Sequence, residues 1–323
     1  MRKSIIFFSL LSLLASLAIT SCSTSPTSQP KVPETLKIAL IPVLDGLPIY
    51  VANQEGLFKA HGVNVEIIPV ASAPERDQLI SSGQADGMIN EALSTMFYNK
   101  DQVRVQIVRY ARAASSDSAV FRILASAKSG ITSVDGLKGV EVGSSQGTVI
   151  EYLISRLLAA EGFKPAEIKT ISVPKIADRM TLLGSGELKA AMLPDPMSSL
   201  AVQNGAKVIL EDSRHPEYSF STIAFRKPVL DEHPEAVRAF LAAIEEAVVK
   251  INANPTGWNS LLSDQKLVPA PLMGTFQVPR FVMAGVPNQA QWDDTLAWAK
   301  EQGLLSKNLL YKDSVTADYL PKK

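Results

Sequence analysis

Arg76-Asp77-Gln78-Leu79-Ile80-Ser81-Ser82-Gly83 can be laid on Arg179-Met180-Thr181-Leu182-Leu183-Gly184-Ser185-Gly186. Each stretch follows a strand-like run ending in Pro and Val, Ile68-Pro69-Val70 and Ser172-Val173-Pro174. Each precedes a short apolar run that stops at an acid, Glu91 in one copy and Asp195 in the other, the two acids standing one position out of strict register. Paired apolar residues followed by glycine predict a helix with one buried face and a glycine stop. Strand, helix and strand in that order, written twice, predict two α/β units of the same architecture.

Working outward, strand-like and helix-period segments alternate from Leu36. Residues 36–43, 63–70, 87–91 and 103–108 are predicted strands, with helices over 49–59 and from Pro74, and Ser94 stands as a candidate cap of the next helix. In the second unit, strands are expected at 120–125, 140–142, 168–173, 190–193 and 207–210. Ile150, Leu153, Ile154, Leu157 and Leu158 share one helical face there. Beyond residue 218 no third such unit starts. A strand over 220–225 leads to a long helix near Pro234 with the stripe Val237, Phe240, Leu241, Ile244, Val248 and Ile251. This last section is expected to return to the first unit. The expected division is 35–114 with 217–323 as one lobe and 115–216 as the other, with crossings near 111–118 and 213–218.

The N-terminal stretch is of another kind. Met1, Arg2 and Lys3 are followed by an apolar run to Ile19, then Thr20, Ser21 and Cys22, the single cysteine of the chain. The run suits a signal sequence better than a bilayer span, which needs about 20 apolar residues. The pattern resembles a bacterial lipobox, which implies cleavage after residue 21 and acylation (palmitate) of Cys22. Residues 22–34, rich in Ser, Thr, Pro and Gln, read as a flexible tether. The implied location is the periplasm or the outer face of the cell membrane, with the lipid membrane as a partner. One thiol makes no intramolecular disulfide. Lysine plus arginine equal aspartate plus glutamate at 32 each, so no basic stripe supports nucleic-acid binding.

In order and spacing, residues 49–58, 79–86, 131–139 and 158–163 resemble the solute-binding proteins of ABC importers, of the group that takes nitrate, sulfonates, taurine and thiamine-precursor pyrimidines. The resemblance implies the two-lobed type II periplasmic binding protein fold, class α/β, each lobe a mostly parallel sheet with flanking helices and two hinge crossings. It implies a small-molecule ligand, a monomer that closes over it, and an ABC permease as partner. No cofactor and no metal are expected.

Ligands of open α/β sheets sit beyond the carboxyl ends of the strands. Loops there supply Asp45, Ser72, Asn90, Glu91 and Ser94 from the first lobe, and Ser144, Ser145, Gln146, Thr148 and Asp195 from the second. Each Ser or Thr is equally well placed as a plain helix cap. The three acids favour a pyrimidine-like or other neutral or cationic heterocycle, since the only nearby arginines, Arg76 and Arg179, are expected on helices. A small anion (sulfonate, taurine or nitrate) is the alternative. Tyr50, Phe97, Tyr98, Tyr218 and Trp258 are candidate stacking surfaces, or core residues.

Gly143-Ser144-Ser145-Gln146-Gly147 also fits the G-x-S-x-G turn of hydrolases, and Ser145, Asp195 or Asp212, and His215 or His233 follow in the order of a triad. No second oxyanion loop precedes Ser145, and a Gly-Ser turn onto a helix equally suits ligand binding. A secreted hydrolase therefore stands behind the binding reading, and so does an adhesin or structural lipoprotein. His61, His215 and His233 form no metal-binding pair.

Overall fold

The computed structural model describes residues 34–322. The expected signal sequence, most of the tether and Cys22 lie outside the described residues. The chain runs through β1 (Thr35–Leu40), α1 (Leu47–Gln54), α2 (Leu57–Ala60), β2 (Asn64–Pro69), α3 (Ala73–Ser81), β3 (Gly87–Asn90), α4 (Ala92–Asn99) and β4 (Val105–Ala113). A second series follows: β5 (Phe121–Ala125), β6 (Glu141–Ser144), α5 (Val149–Ala160), β7 (Lys169–Ser172), α6 (Ile176–Ser185), β8 (Ala190–Pro194), α7 (Met197–Gln203) and β9 (Lys207–Glu211). The last section holds β10 (Phe220–Arg226), α8 (Lys227–Glu232), α9 (Pro234–Ala253), α10 (Asn259–Asp264), α11 (Gln289–Glu301) and α12 (Tyr311–Ser314).

Two five-stranded sheets result, ordered β2-β1-β3-β10-β4 and β7-β6-β8-β5-β9. The orders correspond strand for strand. In each, the fourth strand is antiparallel to both neighbours, and it is the first strand formed after the chain has passed from one sheet to the other. The class is α/β, with mixed sheets and flanking helices. Asp212 ties the two connections together, accepting from the amides of Val120 (2.9 Å) and Phe121 (2.8 Å) and from the Ser219 hydroxyl.

The long helix α9 buries the expected stripe against the first sheet and stacks Phe240 on Phe58 of α2, ring centres 5.1 Å apart. On the other side, Tyr152 of α5 meets Trp298 of α11 edge-on at 5.6 Å and donates to Asp294 at 2.7 Å, which Arg156 also holds at 3.0 Å.

The structure differs from the sequence expectation at several elements, among them the short helices α8 and α12, and three differences are instructive. The helix expected over 49–59 is two helices, because Gly56 takes a left-handed φ of +69° that ends the first. Strand β4 runs well past residue 108. Arg109 and Arg112 interrupt the apolar pattern, yet both are buried, Arg109 against Glu245 and Arg112 against Asp45. Helix α7 was not expected; only Ser198 and Ala201 of it are buried, too few for a readable apolar face.

Candidate functional site

The carboxyl ends of the two sheets enclose a cavity of about 100 Å³. The first sheet contributes Val43 and Asp45 after β1, Ser72 and Arg76 after β2, Asn90 and Glu91 at the end of β3, and Ser221 of β10. The second contributes the topological counterparts: Ser145 and Thr148 after β6, Pro174 and Arg179 after β7, Pro194 at the end of β8, and Phe121 of β5. This is where strand-end logic puts a ligand in an open α/β sheet.

Six of the expected residues line this cavity: Asp45, Ser72, Asn90, Glu91, Ser145 and Thr148. Several are already engaged. Asp45 accepts from the Ser221 hydroxyl at 2.5 Å and lies 3.6 Å from Arg112. The Asn90 side chain donates to Thr95 at 2.8 Å and accepts from Thr222 at 2.9 Å. Ser72 caps α3 and Thr148 caps α5, each accepting from a first-turn amide, contacts worth about 1 kcal/mol each.

The other four lie elsewhere. Ser94 is inside α4 rather than at its start, where Glu91 holds the cap position, and its hydroxyl accepts from Arg76 at 3.1 Å. Ser144 is buried in β6 and donates to the Ile171 carbonyl. Gln146 points to solvent. Asp195 turns away towards Arg122, which it meets at 2.5 Å, and towards the hydroxyls of Ser198 and Ser199. None of the five candidate stacking aromatics lines the cavity; Phe121 does. Tyr50 and Trp258 belong to the core under α9.

Arg76 and Arg179 do lie on helices, as expected, yet both guanidinium groups are buried and line the cavity. Each is the fourth residue of its helix, α3 or α6. The repeat that places them in the sequence was the signal that marks them as cavity residues. Their surroundings differ. Arg76 pairs with Asp77 at 2.8 Å and Glu91 at 3.3 Å. Burial works against its charge, but the two acids outweigh burial and hold the group above its ordinary value. Arg179 reaches only the carbonyls of Val173 (2.8 Å) and Pro174 (3.3 Å), and burial pushes it down to about 10. Burial also pushes the Glu91 carboxyl up, against the pull of Arg76.

Sheet register explains the difference. In the first sheet Ile38 and Ala39 pair with Gly87 and Met88; in the second Val142 and Gly143 pair with Ala190 and Ala191. Counting forward from these pairs, the counterpart of Glu91 is Pro194, and Asp195 falls one residue later. Along a strand a one-residue shift moves a side chain to the opposite face. The acid that would have neutralised Arg179 therefore faces Arg122.

Neither histidine of the hydrolase reading approaches Ser145. His215 is held by Glu161 at 3.2 Å, His233 lies 3.6 Å from Glu34, and neither lines the cavity. Among the described residues there is no cluster of three or more His, Cys, Asp or Glu able to hold a metal, and no helix is long and apolar enough to cross a membrane.

Comparison with known proteins agrees with this fold. A protein of Brucella abortus (strain 2308), described by name as a presumptive binding protein, is 24% identical over 210 residues, 64% of this chain and 63% of the relative. The match thus spans less than two thirds of that relative's length. Among solved structures, the alkanesulfonate-binding protein SsuA from Xanthomonas axonopodis pv. citri, bound to MOPS, superposes with a TM-score of 0.74 at 17% identity, covering 88% of this chain and 98% of that one. The nitrate-binding protein NrtA from Synechocystis PCC 6803 gives 0.71 at 17% identity, covering 88% and 86%. The shared architecture is the periplasmic binding protein fold. Residues 45–257, which hold the cavity lining from Asp45 onward, match the family described as NMT1/THI5 like, and the chain belongs to that family.

Proposed function

We propose that this chain is the extracytoplasmic solute-binding component of an ABC importer, capturing a small organic solute between its two sheets and delivering it to a permease. The observation that carries this reading is the cavity itself: small, formed by matching strand ends of two separate sheets, and lined by buried polar groups. The fold neighbours that bind alkanesulfonate and nitrate support it. Residues 35–114 with 217–323 act as one lobe and 115–216 as the other. The lobes rotate about the two connections that Asp212 joins, and ligand favours the closed form. The chain works as a monomer, because each lobe must be free to meet the other.

The anchor is the acylated Cys22, supported by the basic, apolar and small-residue run before it. That places the protein in the periplasm or on the outer face of the cell membrane. Ser145 acts here as a cavity residue, not a nucleophile, since its surroundings offer no histidine base.

The test is native mass spectrometry of gently purified protein together with small-angle scattering. A stoichiometric small molecule is expected, and its removal should expand the particle. A chain that carries no solute and keeps one shape with every compound offered refutes the proposal. Replacing Cys22→Ser should release the protein from the membrane fraction. Ser145→Ala should leave any trace esterase activity unchanged.

A further inference from the structure

The two lobes meet on two flanks, and the flanks are built differently. On one, α5 of the second lobe lies against α4 of the first and reaches α11. Leu153 and Leu157 of α5 share one apolar core with Met96 of α4 and Trp298 of α11, so the core is continuous from lobe to lobe. Tyr152 and Trp298 are buried in that contact, and its polar bonds are short, 2.7 Å from Tyr152 and 3.0 Å from Arg156 to Asp294. The same helix is tied to the second connection: Glu161, just after α5, is held by Arg214 at 3.0 Å and His215 at 3.2 Å, and the Tyr152 ring meets Tyr218 edge-on.

On the other flank no core crosses. The first lobe's core under α9 and the second lobe's core under α6 and α7 are separate clusters. Among the described apolar side chains, Leu200 of α7 is the one second-lobe residue that packs on the first lobe's core there, and it is only half-buried. A groove of about 630 Å³ runs along this flank, with residues 277–283 on the first-lobe side and Arg122 and Asp195 on the second-lobe side. The groove adjoins the cavity. Phe121 and Pro194 line the cavity while their neighbours Arg122 and Asp195 line the groove, and Asp45 and Arg112, 3.6 Å apart, line one each. Arg112 also reaches across to the carbonyls of Ala119 (3.3 Å) and Asp195 (3.4 Å), both at the long end of hydrogen-bond range.

We infer that the lobes part on one side only. The α5–α11 flank stays closed as a third point of the pivot, beside the two connections, and the α7 flank is the seam that opens to admit solute, with Leu200 as its catch. The inference rests on the solute-binding reading, whose lobes must part, and adds where they do. Parting α5 from α11 would bring aromatic and aliphatic surface of a shared core into water, a cost that grows with the apolar area exposed. Parting the seam uncovers one leucine and breaks two long hydrogen bonds. Asp117 and Arg280 of the groove are exposed already, so their hydration changes little. A rotation of packed lobes follows the cheaper side.

The experiment measures distances between paired spin labels by pulsed electron resonance, on protein carrying Cys22→Ser and freed of endogenous solute by unfolding and refolding. Val202→Cys with Met283→Cys, both at exposed positions, reports the seam. Ala159→Cys with Ala297→Cys, also exposed, reports the α5–α11 flank. The seam pair is expected to show a second distance, longer by more than about 2 Å, while the flank pair keeps a single one. Leu200→Asp should raise the population of the longer seam distance severalfold and leave the flank pair unchanged. Circular dichroism checks the fold, and Leu200→Ala reads the same effect if Leu200→Asp does not fold. A flank pair that lengthens as much as the seam pair overturns the inference while leaving the receptor reading intact. A seam pair with one distance in the native chain and in both Leu200 variants also overturns it, and the receptor reading then stands if a solute co-purifies. If no pair lengthens and no solute co-purifies, both fall together.

Discussion

Arg76 and Arg179 occupy the same step of two matching units, yet one is a neutralised structural group and the other a buried guanidinium with no acid beside it. The difference comes from one residue of register after the third strand of each sheet. Where that strand ends in Glu91, the guanidinium and carboxylate close on each other. Where it passes through Pro194 to Asp195, the acid leaves the cavity for Arg122. The comparison teaches that a repeated architecture need not repeat its chemistry. One wall carries a paired charge and the other an arginine without an acid, because the same pattern is shifted in one copy.

The sharpest way to break this comparison is to remove each arginine in turn. Arg76→Leu leaves Glu91 and Asp77 without their buried partner and should cost about 3–5 kcal/mol in urea unfolding. Arg179→Met removes a charge that has no partner and should leave the ligand-free protein equally or more stable, by about 1–2 kcal/mol. Equal losses at both sites would mean the two arginines are equivalent after all.

Asp212 offers the next largest effect. Asp212→Asn turns an amide donor towards groups that already donate to the carboxylate, two amides and a hydroxyl. A loss of about 2–3 kcal/mol is expected in the same assay. Unchanged stability would mean that the two connections are not held by this residue.

Acidity sharpens the Glu91 side. Burial raises this carboxyl above its ordinary value of 4.5, so the folded state holds its proton more tightly than the unfolded chain does. The stability linked to this proton is fully present below the ordinary value and is lost as pH rises through the folded pKa. In denaturation at stepped pH, the native chain should therefore lose stability relative to Glu91→Gln over that window. A difference that stays constant with pH contradicts the assignment. The smallest effect is expected at the cap of α5, where Thr148→Ala should cost about 1 kcal/mol by thermal unfolding.

Much of the fold was legible in the chain. The strand–helix alternation, the repeat around Gly83 and Gly186, and the stripe of α9 are local patterns with a fixed period, and each reappears in the structure. What escaped was non-local. β4 passes through Arg109 and Arg112 because partners distant in sequence, Glu245 and Asp45, neutralise them. Among the cavity residues, Asp45, Glu91 and Thr148 follow from strand ends alone. Ser144, Gln146 and Asp195 stand at those same ends but face elsewhere, and Ser94 lies inside α4 against Arg76; where a side chain points is set by the pairing and packing around it.

By itself, then, the order of residues determined two α/β units of one design, the strand ends from which a cavity is built, and the acids and arginines available to it. Tertiary structure alone decided which of those charges face the cavity and which meet a counter-charge. Periodicity is written in neighbouring residues, whereas the partner of a buried charge is chosen by strand register and by chain segments far away in sequence.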